Sequence, residues 1–447
     1  MNTVKNSLKD ISRYPSAIAG VIIIFLLVLL SIYAVISIPY DKAITMWRGG
    51  EEFWKANPKF APPAWSNLFT SKKLPESFHV DTADGTMSKV VTSTGDDTSN
   101  VTISYSFNFE ADDYPQDLII YFTTTFEQKQ PFASVSLFTP TGQEIRVADT
   151  GVAQQQTLRF SQESRMVNRY SNVPVMTGMF SDPKDPPHAP LKGTYKLVIT
   201  GTTFEKDSTF DAEFVFLGQV YGLAGTDMSR RDLMIPLLWG APVALGFGLL
   251  ASLGTLILTM IIAAIGAWYG GWVDSLIQRI TEINLVLPFL PILIMVGTFF
   301  SRSIWIIMGT AVLLNIFTGQ IKSYRAIFMQ VRESMYIEAA RAYGASDFRI
   351  IFRYLVPRMI PLLLPGLVSA VPSFVFLEAT LAVLGLGDPV LPTWGKVIDD
   401  AYTNGALYKG YYYWILEPAV LLMITGLGFS MLGFALDRIF NPKLREM

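Results

Sequence analysis

The sequence predicts an α-helical polytopic membrane protein of six transmembrane helices, with a β-sandwich-like domain inserted after the first. Three observations carry this expectation. Of the 447 residues 51% are hydrophobic and only 16% charged, and the apolar residues fall in long blocks. A polar stretch from 40 to 227 separates the first block from the rest and alternates with period two. Lys and Arg gather at the block ends that a positive-inside arrangement would place on one side.

The spans follow from the charge-free stretches. Ala17 to Ile38 is long enough, at 1.5 Å per residue, to cross a hydrocarbon core of about 30 Å. The second span is placed at about Val243 to Tyr269, because Pro236 and Pro242 interrupt the uncharged run that begins at Leu233. Ile283–Ser301 and Ser303–Ile321, divided by Arg302, read as two spans joined by a very short turn. Met359–Leu384, containing Glu378, and Pro418–Leu436 complete the set.

Lys5, Lys9 and Arg13 precede the first span, and Arg438, Lys443 and Arg445 follow the last, so both termini are expected in the cytoplasm. The same count puts inside the segment 322–358, with Lys322, Arg325, Arg332, Arg341, Arg349, Arg353 and Arg358. It puts 40–227 outside. The expected organisation is therefore 1–39 as amino terminus and first helix, 40–227 as the β-rich domain, and 228–447 as a five-helix core.

Within the insert, Val101–Phe109, Asp117–Phe126, Ala133–Pro140, Thr194–Thr200 and Phe210–Gly218 alternate apolar and polar residues between turn signals such as Pro140-Thr141-Gly142. Asn100-Val101-Thr102 fits a glycosylation acceptor, but such tripeptides are common by chance. His79 and His188 have no second ligand at metal spacing, and with no cysteine in the chain neither disulfides nor thiolate chemistry are available. A net charge of −2 leaves no cationic surface for nucleic acid.

The stretch Tyr336 to Pro361 reads as two short helices with a sharp break. Ile337 to Arg341 are mostly good helix formers, Gly344 suits a left-handed stop, Ser346 an N-cap, and Asp347 the positive end of the next helix. In that next helix Phe348, Ile351, Phe352 and Leu355 fall on one face and Arg349 and Arg353 on another. On periodicity alone, an interfacial helix anchored to lipid headgroups explains this as well as a docking element does.

The specific string narrows the choice. Glu338-Ala339-Ala340, three residues, Gly344, and Pro357 thirteen further on resemble the EAA loop of binding-protein-dependent ABC importer permeases, with Tyr354 and Val356 where Ile and Leu are usual. Tyr269-Gly270-Gly271-Trp272-Val273-Asp274, Leu377-Glu378-Ala379-Thr380-Leu381, Leu384-Gly385-Leu386-Gly387 and Pro392-Thr393-Trp394-Gly395 resemble the dipeptide/oligopeptide branch. Gly225-Thr226-Asp227 with Arg231-Asp232 is similar to its GTD…GRD turn, with Ser229-Arg230 replacing the usual Leu-Gly. The insert is where the chain departs from the pattern.

The resemblance implies a type I importer permease of a prokaryotic cell membrane. It implies a second homologous permease, two ABC ATPase subunits and an extracytoplasmic solute-binding protein as partners, with ATP and Mg held by the ATPases and no cofactor in this chain. It also implies an ATPase-coupling loop comprising Tyr336, Glu338, Ala339, Ala340, Arg341, Gly344, Ala345, Asp347 and Pro357. Glu338 would bond the ATPase or cap the loop, and Arg341 would pair with an acidic groove. The family suggests short peptides as cargo, although related importers carry oligosaccharides or metal chelates.

Glu378 interrupts an apolar span at a cost of roughly 2.5 to 3.5 kcal/mol, so it is expected to face the bundle or a wet cavity, either on the translocation pathway or in a structural hydrogen bond. The chain has no P-loop, H-E-x-x-H or G-x-S-x-G, which argues against an ATPase or membrane enzyme. A sensor using the β domain would leave the basic loop unexplained.

Overall fold

The structure, a computed structural model, describes residues 14–440 except Asp96 and 183–188, with backbone alone for Pro361, Leu362 and Phe440. Lys5, Lys9, Arg13, His188, Lys443 and Arg445 lie outside the described residues. The chain divides into a helical unit, up to Arg48 and from Ile235 onward, and a second unit, Gly49–Met234. The division falls at 48/49 and 234/235 because Tyr40–Arg48 is helical and groups with the spans.

The helices, in chain order, are α1 (Pro15–Ser37), α2 (Tyr40–Arg48), α3 (Ser164–Arg169), α4 (Val175–Phe180), α5 (Met234–Tyr269), α6 (Gly271–Val286), α7 (Phe289–Phe299), α8 (Ile304–Ile316), α9 (Gly319–Arg332), α10 (Met335–Ala342), α11 (Asp347–Ile350), α12 (Val356–Leu381), α13 (Trp394–Thr403), α14 (Ala406–Lys409) and α15 (Tyr413–Phe440). Among the described residues, four helices are long and apolar enough to cross a bilayer, or up to six if each of two bent pairs counts as one span.

Close backbone approach holds the helical unit together. A Cβ on Gly20 of α1 would lie 2.7 Å from the Gly428 carbonyl oxygen of α15, and one on Gly428 2.6 Å from Ile23. Gly426 and Gly433 likewise admit Phe376 and Ser369 of α12. Lipid tails are as apolar as leucine, so such contacts replace the hydrophobic drive that water supplies elsewhere.

Three expectations about the spans need correction. The second helix begins at Met234, nine residues before Val243, and runs through Pro242. Pro236 sits in the first turn, where its missing N–H costs no bond. Beside Pro242, the Trp394 indole N–H donates to the Leu237 carbonyl at 2.9 Å, so the disturbed turn is held from outside.

The expected third and fourth spans are not straight. The α6–α7 pair bends by 83° and the α8–α9 pair by 50°. Pro288 drives the first bend by forcing Leu287 to an extended conformation (φ −69°, ψ 133°). At the second break the Asn284 amide donates to the carbonyls of Leu314 and Phe317, both at 2.8 Å, supplying donors where the helix lacks them.

The second unit is a β-sandwich. One antiparallel sheet runs β1 (Phe78–Asp81), β9 (Thr209–Leu217), β4 (Asp117–Thr125), β7 (Gln155–Arg159); the other runs β2 (Ser88–Ser93), β3 (Ser99–Phe109), β8 (Gly193–Thr203), β5 (Phe132–Phe138), β6 (Glu144–Gly151). The inward positions of both sheets share one core, in which Phe107, Phe109, Phe180, Tyr195 and Phe216 lie ring against ring. His79 is exposed on β1, and Asn100 is exposed on β3 with its Oδ1 accepting from Thr202.

Where the sandwich chain comes in and goes out, the Gly225–Asp232 turn clasps residues 57–61. Asp227 is fully buried and takes hydrogen bonds from the Arg231 backbone and guanidinium, while Thr226 bonds Pro58 and Ala61. Arg230 occupies the left-handed region at φ +63°, the conformation a glycine adopts freely. The cost for a non-glycine residue is about 1–2 kcal/mol. It is offset by two bonds to Asn57: Arg230 donates to the Asn57 carbonyl, and the Asn57 amide donates to the Arg230 carbonyl at 3.0 Å.

On β6, burial pushes the Asp149 carboxyl up, but hydrogen bonds from Ser134, Arg165 and Arg146 outweigh it and bring the pKa down to about 2. Its contribution to stability is complete above the ordinary value of 3.8 and is lost as pH falls from there through about 2. Thermal melting of the second unit should therefore fall more steeply across that window in the wild type than in Asp149→Asn, which gives up this contribution at every pH. Parallel slopes would show that the cluster is not stabilising.

Candidate functional site

The candidate site is the basic loop from α9 to the start of α12. Ser334 precedes α10, which ends in a Schellman arrangement: the Ala345 N–H donates to the Ala340 carbonyl at 3.0 Å, the Gly344 N–H to the Arg341 carbonyl at 2.9 Å, and Gly344 takes φ +76°. Ser346 then caps α11 by accepting from the Arg349 N–H at 3.4 Å, with Asp347 in the first turn. The expected stop and restart are both present.

The second helix departs from expectation in its winding. After α11 the chain makes a π turn at Ile351–Leu355 and continues directly into α12. In that turn the Val356 N–H reaches the Ile351 carbonyl, five residues back, and the wider winding admits Pro357, which has no N–H to give. Ile351 and Leu355 are buried as expected, together with Ile350. Phe348 and Phe352, expected on the same apolar face, stack on each other 4.4 Å apart and remain exposed.

Of the residues singled out in α10, Ile337 and Ala340 face inward, into a cluster with Ala264, Ala267, Trp268, Ile277, Ile321 and Phe328. Tyr336, Glu338, Ala339, Arg341, Gly344, Asp347 and Pro357 are exposed, and Ala345 is half-buried. Tyr343, 92% exposed, stands at the tip.

Three arginines brace this loop against the corner where α5 turns into α6, at Gly270 and Gly271, both of positive φ. Arg325 forms a two-pronged ion pair with Asp274, its Nε 2.5 Å from Oδ1. Arg332 donates to the Ala267 carbonyl at 2.8 Å, at the C-terminal end of α5. The Arg341 guanidinium lies 4.3 Å over the Trp268 ring, so this arginine, expected to reach for an acidic groove, is already engaged within its own chain. The sequence motif at Tyr269–Asp274 marked this corner, but nothing in the sequence paired its residues with particular arginines.

Glu378 lies elsewhere. It is 7% exposed inside α12, and nearby the Thr393 hydroxyl oxygen accepts from the Lys396 N–H as the cap of α13. Neighbouring contacts fix the same junction: a Cβ on Gly395 would meet Ala379 Cα at 2.7 Å, a Cβ on Gly240 would meet Trp394 at 2.2 Å, and Asp388 accepts from the Ile304 N–H at 3.0 Å. Among the described residues no group of three His, Asp or Glu is placed to hold a metal ion.

Residues 256–446 match the family described as the binding-protein-dependent transport system inner membrane component. The chain is 30% identical over 227 residues to the oligopeptide transport system permease protein OppC of Bacillus subtilis, covering 50% of this chain and 72% of that protein. It is 31% identical over 229 residues, again 50% and 72%, to the dipeptide transport system permease protein DppC of Alkalihalophilus pseudofirmus. Over 230 residues, 50% and 73%, it is 26% identical to the glutathione transport system permease protein GsiD of Pectobacterium atrosepticum.

Replacing Gly344 with alanine meets open space but forces a Cβ into the left-handed region. The expected cost is about 1–2 kcal/mol, seen as a lower melting temperature of the helical unit. An unchanged melting temperature would mean that the stop is not held as described.

Proposed function

The chain belongs to the dipeptide/oligopeptide branch of the binding-protein-dependent transport permeases and is a multi-pass permease subunit of an ABC importer; from this premise we propose that it forms half of a pore for short peptides. The names of the relatives, which transport dipeptides, oligopeptides and glutathione, support that cargo. In this reading the chain crosses the membrane six times with both termini in the cytoplasm. A second permease completes the pore, an extracytoplasmic binding protein delivers the solute, and two ATPases bind ATP and Mg.

One observation carries the mechanism. α10 presents Tyr336, Glu338, Ala339 and Tyr343 outward while Ile337 and Ala340 are locked inward, so it offers a docking face on a base that cannot turn freely. Burying a side chain such as Ile337 is worth about 1.5–3 kcal/mol, against about 0.5–1 kcal/mol for an exposed cation–π contact such as that of Arg341. Packing therefore holds the helix, and the arginines orient it. Closure of the two ATPases would move α10, and through the braced corner α5, as a rigid body, alternating access to the pore.

Glu378, in this account, is enclosed by protein where α12 meets the start of α13 and does not line the solute path. Its enclosure by protein satisfies the demand that a carboxyl in an apolar span be buried among polar partners.

Affinity purification of the chain should bring down a second permease and two ATPase subunits. A Tyr343→Ala, Glu338→Lys double variant should lose the ATPases, retain the second permease and melt like wild type, since both side chains are exposed. Full ATPase recovery with the variant would contradict the docking face.

A further inference from the structure

The second unit carries an apolar patch that its own fold does not cover. Residues 62–65 and 221–226 run side by side, with the Tyr221 N–H donating to the Pro62 carbonyl at 2.9 Å and the Ala64 N–H to the Gly222 carbonyl at 2.8 Å. On this pair the Trp65 indole N–H donates to the Leu223 carbonyl at 2.8 Å, and the ring stands edge-on to Phe69 at 6.1 Å. Leu68 and Phe69 are each 82% exposed, and Leu223 and Trp65 are exposed beside them.

The patch is rigid. Asn67 both donates to the Leu74 carbonyl and accepts its N–H, at 3.0 and 2.9 Å, and Thr70 bonds the Lys72 carbonyl at 2.8 Å. The loop is thus held by its own bonds in a form that points two large apolar side chains at the surroundings. Lys72 and Lys73, both exposed, lie three and four residues beyond Phe69, Lys73 with its Nζ 3.2 Å from a Glu110 carboxylate oxygen.

Chain connectivity limits what can meet this surface. Leu223 is eleven residues before Met234, the first residue of the long apolar helix α5. That tether spans at most about 40 Å even when fully extended. On the other side, Ala64 is sixteen residues past Arg48, the end of the helix that follows α1. Both ends of the patch are leashed to bilayer-crossing segments, and its composition, a tryptophan and large apolar tips beside lysines, is that of an interfacial anchor.

We propose that Trp65, Leu68, Phe69 and Leu223 insert into the headgroup region of the bilayer the chain crosses, with Lys72 paired to anionic lipid. The inserted sandwich is then tied to the membrane surface at a third point besides its two chain connections. This rests on the membrane reading above, but not on the identity of the cargo or of the ATPases.

The chain contains no cysteine, which makes single labels clean. Phe69→Cys carrying a nitrobenzoxadiazole fluorophore would be placed in nanodiscs of phosphatidylcholine and phosphatidylglycerol containing a shallow spin-labelled lipid. Phe25→Cys on α1, with a deep spin-labelled lipid, reports whether the protein spans the bilayer. Val90→Cys, exposed on β2, reports nonspecific contact.

The proposal expects the Phe69 label to lose most of its emission and shift to the blue while the Val90 label does neither, and the loss to shrink when Lys72 is changed to Glu. Emission at Phe69 unaffected by lipid while Phe25 is quenched overturns it, as does equal quenching at Phe69 and Val90. A blue shift at Phe69 that requires an added solute-binding protein or second permease also overturns it, assigning the patch to a protein partner. Absence of quenching at Phe25 would instead overturn the membrane reading, and the proposal with it.

Discussion

The packing of Ile337 and Ala340 keeps α10 from rotating on its own base, which is what the proposed passage of a push from one protein to another requires. Ile337 and Ala340 enter a cluster built on α5, α6 and α9, and three arginines tie the surrounding loop to the corner at Trp268–Asp274. The left-handed Gly344 ends α10 abruptly, so the element is a short rigid handle, not a fraying end. Everything proposed about transmission depends on that handle and the end of α5 behaving as one body.

The apolar surroundings of the spans explain how the rest of the unit is built. A break in a membrane helix frees backbone groups that lipid cannot satisfy, and side chains bond the backbone at or near several of these breaks. Asn284 serves the carbonyls at the end of α8, Asp388 the N–H at its start, and Trp394 the turn beside Pro242. The sandwich solves the ordinary problem of a water-soluble fold instead, with period-two strands closing over an aromatic core.

How much was legible in the residues depended on the range of the interactions involved. The Gly344 stop, the Ser346 cap, strands β3, β4, β5, β8 and β9 and the approximate placement of the apolar helices followed from local pattern, because neighbouring residues decide those features, whereas β1, β2, β6 and β7 were not read. The bends at Leu287–Pro288 and Phe317–Thr318 did not, since an uncharged run records composition and not direction. The inward side of the stretch after Ser346 was read only in part for a similar reason: Phe348 and Phe352 share the apolar stripe, but its neighbours cover Ile350, Ile351 and Leu355 and leave the two rings exposed. Arg341–Trp268 and Arg325–Asp274 join positions far apart in sequence, and no spacing rule could have paired them.

The central claim can be read as a distance. Spin labels at Tyr269 and Ala342, both exposed, would report the separation of the α5 end from the end of the handle in the assembled transporter, with and without nucleotide. A single narrow distribution that stays the same in both states is the predicted result. A distribution that broadens or moves when ATP binds would mean that the handle pivots independently of α5, and the rigid transmission described here would be wrong.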